Sequence, residues 1–194
     1  MVNEQQTKIE KIKRAVLKTV GEIGVAGLTM KKIATEAEIS PGTLYLYYAS
    51  KDQMINKLYL ELKKELAIAA FEGFNEESSL PFHLGFKAIF TNLYQYLASH
   101  PAEQVFLQQG YKSPFVTDET RKEAEVYYQP MIEMVNLAQA EGTITSNIPA
   151  QMVLAFTNGV LQEAAQACLV LPTDQQSIVG NCAFEFCWNA IKQQ

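Results

Sequence analysis

The chain has 194 residues, of which 48% are hydrophobic, 19% charged and 10% aromatic, enough apolar mass for one sizeable core or two small ones. Ten Gly and seven Pro exclude collagen-like and linker-dominated chains, and no run of about 18 apolar residues exists to span a bilayer. The net charge of −5 is unevenly placed: residues 1–66 carry eleven Lys and Arg against eight Asp and Glu, a net +3, whereas residues 67–194 carry five against thirteen, a net −8.

Apolar residues recur at spacings of three and four, without the alternation of strands, which predicts an all-α fold of about nine helices. The first helix spans about 5–23, with Ile9, Ile12, Val16, Val20 and Ile23 on one face and Gly24 as a left-handed cap. Its sequence lacks the uncharged apolar core of a secretory signal, so a cytoplasmic location is expected. Thr29 caps a short helix carrying Ile33, Ala34 and Ala37, and Ser40 caps another that starts at Pro41 and ends near Tyr47. Ser50 and Gln53 form a capping box for a longer helix reaching residues 71–74. The polar stretch NEESSLP at 75–81 predicts a break, giving a head at 1–50, a connecting helix at 51–75 and a body at 76–194. Body helices are expected at 82–99, 102–110, 118–141, 149–169 and 174–192. Pro130 should kink or split the 118–141 pattern.

Residues 29–51, TMKKIATEAEISPGTLYLYYASK, carry the functional signal. Two short helices joined by a tight turn and braced by Ile33, Ala37, Ile39, Leu44 and Tyr48 make a helix-turn-helix, whose second helix enters the DNA major groove. Ser40, Pro41, Gly42 and Thr43 are small enough for the backbone at that helix start to approach phosphate or bases. Tyr45, Tyr47 and Lys51 can reach the sugar-phosphate backbone, and Lys31 can steer DNA or simply be solvated.

This block, from about residue 5 to 55, resembles the DNA-binding domain of TetR-family transcriptional repressors, a three-helix, homeodomain-like unit. The resemblance rests on the entering helix, Thr29, the Ile33-Ala34 pair, the run from Ile39 to Tyr48 and Ser50-Lys51. It implies DNA contacts for Thr29, Ser40, Gly42, Thr43, Tyr45, Tyr47 and Lys51, with Thr43 reading bases. Glu38 stands where the family often has glycine, so the turn must tolerate a side chain. Glu141-Gly142-Thr143-Ile144 leading to Ile148-Pro149 resembles the family's entry into its penultimate helix. The resemblance implies a C-terminal domain that binds an inducer and forms the homodimer.

Other residues favour plainer readings. His83 and His100 lack metal-ligand spacing, and the glycines at 21, 24 and 27 follow a helix rather than a strand, so neither a metal nor a nucleotide loop is expected. Cys168, Cys182 and Cys187 are expected as buried, reduced thiols. No nucleophile with a base, paired carboxylates or cofactor motif is evident, so no enzyme is expected. Phe86, Phe90, Tyr94, Phe106, Tyr111, Phe115, Tyr127, Met131 and Met134 supply either core filling or the wall of an enclosed, mostly apolar pocket for a small hydrophobic or aromatic ligand. Glu163 is either a polar anchor there or a surface residue. Residues 149–192 carry more apolar surface than one layer can bury and are expected to pair with a second copy. The expected activity is therefore repression from a palindromic DNA operator, relieved by ligand, with a ligand-independent architectural or adaptor protein as the alternative.

Overall fold

Local capping and spacing dictate where the chain turns into helix. The computed structural model describes residues 2–74 and 80–193, so most of the expected 75–81 break lies outside the described residues. Among the described residues, ten α-helices follow in order: α1 (Val2–Ile23), α2 (Met30–Glu36), α3 (Pro41–Tyr47), α4 (Lys51–Ala70), α5 (Phe82–Ser99), α6 (Pro101–Tyr111), α7 (Asp118–Glu125), α8 (Gln129–Ala140), α9 (Ala150–Ala167) and α10 (Thr173–Ile191). Among the described residues there is no strand, only an isolated bridge between Ile144 and Lys192. Pro130 sits in the first turn of α8, after a 3-10 turn at Val126–Tyr128, so the 118–141 pattern is split there. Proline lacks the N–H and fixes φ, which suits a helix start and breaks a helix interior. Among the described residues, no helix is long and apolar enough to cross a membrane.

The chain divides into two compact units. The first comprises Met1–Lys63 and Ala102–Ala124. Ile12, Val16 and Val20 of α1, Ile33 and Ala34 of α2, Leu44 of α3 and Ile55 and Leu58 of α4 are buried in its core. Ile9 is only half-buried and Ile23 is 43% exposed, so the apolar face of α1 stops short of both expected ends. Gly24 has a φ of +72° and donates to the Val20 carbonyl at 2.9 Å, while Gln109 Oε1 accepts from the next N–H at 3.0 Å. Gly110 lets α6 close on the buried Tyr59 of α4, since a Cβ there would lie 3.1 Å from the ring.

The second unit comprises Lys64–Pro101 and Glu125–Gln194. Ala70, Ile89 and Met131 form one cluster, joined by Phe71, Phe74, Leu93, Met134 and Leu154. A second cluster is aromatic, with Phe184 of α10 lying 6.1 Å from Phe86 and 5.7 Å from Phe90 between ring centroids. The Tyr94 ring packs closely on α10 because Gly180 faces it, and a Cβ at 180 would fall 2.6 Å from the ring. Its hydroxyl donates to the Gln176 carbonyl at 2.6 Å and shares a hydrogen bond with the Cys168 thiol. After α8, Gly142 at φ +73° turns the chain so that Thr145 N–H bonds the Ile191 carbonyl at 2.8 Å, tying this loop to the end of α10.

Candidate nucleic-acid interface

The turn between α2 and α3 is a Schellman motif, in which Glu38 N–H bonds the Thr35 carbonyl at 3.2 Å and Ile39 N–H bonds the Ala34 carbonyl at 3.0 Å. Such a motif requires a left-handed residue at its apex, and Glu38 takes it with a φ of +55°. A non-glycine residue there is strained. The turn therefore tolerates the side chain at a conformational cost, and Glu38 projects its charge at the edge of the motif, exposed to solvent.

Ser40 caps α3: its Oγ accepts from Thr43 N–H at 3.0 Å and lies 2.9 Å from Thr43 Oγ1. Thr29 caps α2 in the same way, accepting from Lys32 N–H at 3.2 Å. Leu44 is buried, and α3 turns the remainder of its surface outward. Thr29, Lys31, Ser40, Pro41, Gly42 and Tyr45 are exposed, while Thr43, Tyr47 and Lys51 are half-exposed, so one continuous segment brings these expected contacts together. At Gly42 a Cβ would meet nothing closer than Ser40 Oγ at 3.7 Å, so packing within the chain does not demand glycine there. Tyr48, expected in the core, is half-buried, and burial raises its phenol pKa. Capping of α4 departs slightly from the expected box: Ser50 Oγ accepts from Gln53 N–H at 3.1 Å, but Gln53 reaches the Ala49 N–H at 2.7 Å, one residue early.

Two features of this face escaped the sequence reading. Leu46 is 85% exposed, although its spacing from Leu44 and Tyr48, which take the inner face, made this legible. On α1, Lys11, Arg14 and Lys18, spaced three and four apart, line a shallow depression of about 220 Å³ with Glu36 and Glu38. Lys18 reaches Glu36 at 2.6 Å, and this hydrogen bond raises its pKa.

The expected ligand-wall residues are divided between the two units. Phe106, Tyr111 and Phe115 belong to the first unit, where Phe106 is buried, Tyr111 is 64% exposed and the Phe115 ring lies 3.8 Å from Lys51 Nζ. Phe86 and Met131 are core residues of the second unit, Tyr127 and Met134 are half-buried, and Glu163 is exposed. Phe90 and Tyr94 border a cleft of about 530 Å³ between α5 and α10, shared with Thr91, Gln95, Ala98, Ser99, Thr173, Gln176, Ser177, Gly180 and Asn181. Instead of an enclosed apolar pocket, this is an open cleft bordered by hydroxyl, amide and apolar side chains, because the Phe86 and Phe184 rings pack tilted against each other in the core rather than around a void.

His83 packs 4.5 Å from the Trp188 ring and 5.6 Å from Phe184. Among the described residues, no group of three or more His, Cys, Asp or Glu is placed to hold a metal ion. Cys168 and Cys187 are buried, and burial raises the Cys187 thiol pKa, whereas Cys182, expected buried, is exposed on the outer face of α10.

Residues 14–58 match the family model described as bacterial regulatory proteins, tetR family. An uncharacterised HTH-type transcriptional regulator of Mycobacterium bovis is 34% identical over 62 residues, which are 32% of this chain and 29% of that protein, so the chain spans under a third of its length. The probable acrEF/envCD operon repressor of Escherichia coli K12 is 23% identical over 174 residues, covering 85% of this chain and 77% of that one. In fold, the chain is similar throughout to a TetR family transcription regulator from Marinobacter aquaeolei VT8, with a TM-score of 0.86, 21% identity and full coverage of both chains. Residues 14–58, which hold the helix-turn-helix, are thus similar to the tetR family of bacterial regulatory proteins, and the all-α fold of the chain is similar to that of a TetR family regulator.

Proposed function

We propose that this protein is a cytoplasmic transcriptional repressor that binds a palindromic operator as a homodimer and is released by a small neutral ligand. The observation that carries the DNA half is the outward face of α3, where a capped, proline-started helix presents Gly42, Thr43 and Tyr45 to solvent with Tyr47 and Lys51 at its side. Helix N-termini meet phosphates favourably, and the first residues of a recognition helix face base edges. Thr43, preset by its bond to Ser40, reads a base, while Thr29, Lys31, Ser40, Tyr47 and Lys51 serve phosphates.

The dimer half rests on outer faces with no cover in one chain. On α9, Met152 and Phe156 are 41% and 59% exposed, and on α10, Ile178 and Phe186 are 59% and 69% exposed. Burying such surface drives association, and a two-fold axis along these helices makes the interface self-complementary. Polar side chains of α10 lie away from these faces: Ser177 and Asn181 border the cleft beside α5, and Glu185 approaches Lys87 at 3.8 Å.

The cleft supports a ligand of revised chemistry. Its lining holds no Asp, Glu, Lys or Arg, and hydroxyl and amide side chains surround a floor of Phe90, Ala98 and Gly180. An uncharged compound with one apolar face and several hydrogen-bonding groups suits it better than a wholly hydrophobic one. To act as inducer it must prefer the DNA-incompetent state, since equal affinity for both states shifts nothing.

The test is fluorescence anisotropy on random-sequence duplex across a salt series. Lys51→Ala should weaken binding to every sequence and reduce the salt slope by about one unit, and Tyr47→Phe should weaken it uniformly. Unchanged binding by the double variant contradicts the assignment.

A further inference from the structure

Lys51 opens α4, and the reading above makes its ammonium a phosphate ligand. That ammonium sits 3.8 Å from the centroid of the Phe115 ring. Phe115 lies in the loop joining α6 to α7, and one side chain fastens this loop to the first turns of α4. Asn56 Nδ2 donates to the Phe115 carbonyl at 2.8 Å, and Asn56 Oδ1 accepts from Thr117 N–H at 3.0 Å. The same Nδ2 donates to the Asp52 carbonyl at 2.7 Å, which fixes the amide's orientation.

The loop is also held from its other side. Ser113 Oγ accepts from Phe115 N–H at 3.1 Å, and Arg121 donates to the Ser113 carbonyl at 2.8 Å and to the Tyr111 carbonyl at 3.3 Å. Val116, the next residue, is 1% exposed. The backbone carrying the Phe115 ring is therefore anchored on both flanks, and the ring remains half-exposed beneath the lysine.

An aromatic face attracts an ammonium through its quadrupole and leaves the donors that point away from it available. A flexible lysine must otherwise be ordered when it meets phosphate, and holding it beforehand removes part of that cost. We propose that Phe115 is a positioning residue for DNA binding: its ring holds the Lys51 ammonium where an operator phosphate meets it, and Asn56 holds the ring. The inference rests on the assignment of Lys51 to phosphate.

The test is a double-mutant cycle on the duplex this protein selects from random DNA, comparing wild type, Lys51→Met, Phe115→Leu and the double variant. Phe115→Leu is expected to weaken binding about two- to fivefold, the equivalent of one cation–π contact. Its salt slope should match wild type because the charge remains, whereas Lys51→Met lowers the slope by about 0.9. In the Phe115→Leu background, Lys51→Met should cost less by the same factor, and Phe115→Tyr should restore wild-type affinity. Additive losses, unchanged binding or tighter binding by Phe115→Leu overturns the proposal. Should Phe115→Leu not fold, the wild type still decides: the Lys51 ε-methylene must show an upfield ring-current shift by NMR, and an unshifted resonance overturns it. Wild type that binds no DNA, or a Lys51→Met variant that binds as wild type does, refutes the phosphate assignment instead.

Discussion

Gly42 and Glu38 each occupy a place that local energetics disfavours. Glycine inside a helix costs about 0.5–1 kcal/mol relative to alanine, and no atom of the chain is close enough to Gly42 to require it. Gly42→Ala is therefore expected to raise unfolding stability by about 0.5–1 kcal/mol in urea melts while weakening operator binding, because the added methyl would stand on the face proposed to meet DNA. Loss of stability, or unchanged DNA binding, contradicts this. Glu38 holds the left-handed apex of the Schellman turn at φ +55°. Glu38→Gly removes strain on the order of 1 kcal/mol but frees the unfolded chain, so the net gain in stability is at most about 1 kcal/mol. Removing a carboxylate beside the reading helix should also tighten DNA binding at low salt, read by anisotropy at fixed pH. At this scale the caps were legible because Thr29 and Ser40 act on N–H groups three residues away. The partner of Lys51 was not, because Phe115 is remote in sequence and its aromatic character alone fitted a ligand wall equally well.

Helix boundaries followed the sequence wherever a proline or a capping residue marked them, as at Pro41, Phe82 and Pro130. Faces were less legible. Ile23 and Cys182 were expected inside from their spacing alone, but a periodic apolar face does not say how far the next element extends to cover it. The aromatic run along α5 shows the same limit: Phe86 packs against Phe184 in the core, whereas Phe90 both meets Phe184 and borders the open cleft. Within α4, Lys63 lies against Tyr59, with its ammonium 5.5 Å from the ring centroid, and burial lowers its pKa from 10.5 to about 8. The unfolded chain then holds more protons than the folded one between about pH 8 and 10.5, so this residue makes stability rise with pH across that window. Burial holds the Tyr59 phenol up at about 12, which acts in the opposite direction above pH 10. Lys63→Met is thus expected to raise Tm by a few degrees at pH 7, with the advantage fading between pH 8 and 10. An advantage that persists unchanged to pH 10, followed by circular dichroism melts, contradicts the assignment.

For the whole molecule, the exposed Phe156 and Phe186 are the residues on which the proposed dimer depends. Phe156→Asp with Phe186→Asp should weaken self-association by two orders of magnitude or more in sedimentation experiments. Monomer stability should change little, because neither side chain fills its own core. A monomeric wild type at micromolar concentration removes the dimer. The head was legible in the sequence because capping residues, small residues and a buried pair recur at fixed spacings over a short stretch; the body was legible only as helices, since its open cleft depends on which polar side chains of α5 and α10 come to face one another. The central claim is that α3 reads a two-fold operator, and selection of bound duplexes from a random pool tests it most directly. The expected result is an inverted-repeat motif with half-sites separated by whole helical turns of about 34–36 Å, and a Thr43→Ala variant that selects an altered base within each half-site. Recovery of unpatterned sequences, or of the same motif by both proteins, would contradict it.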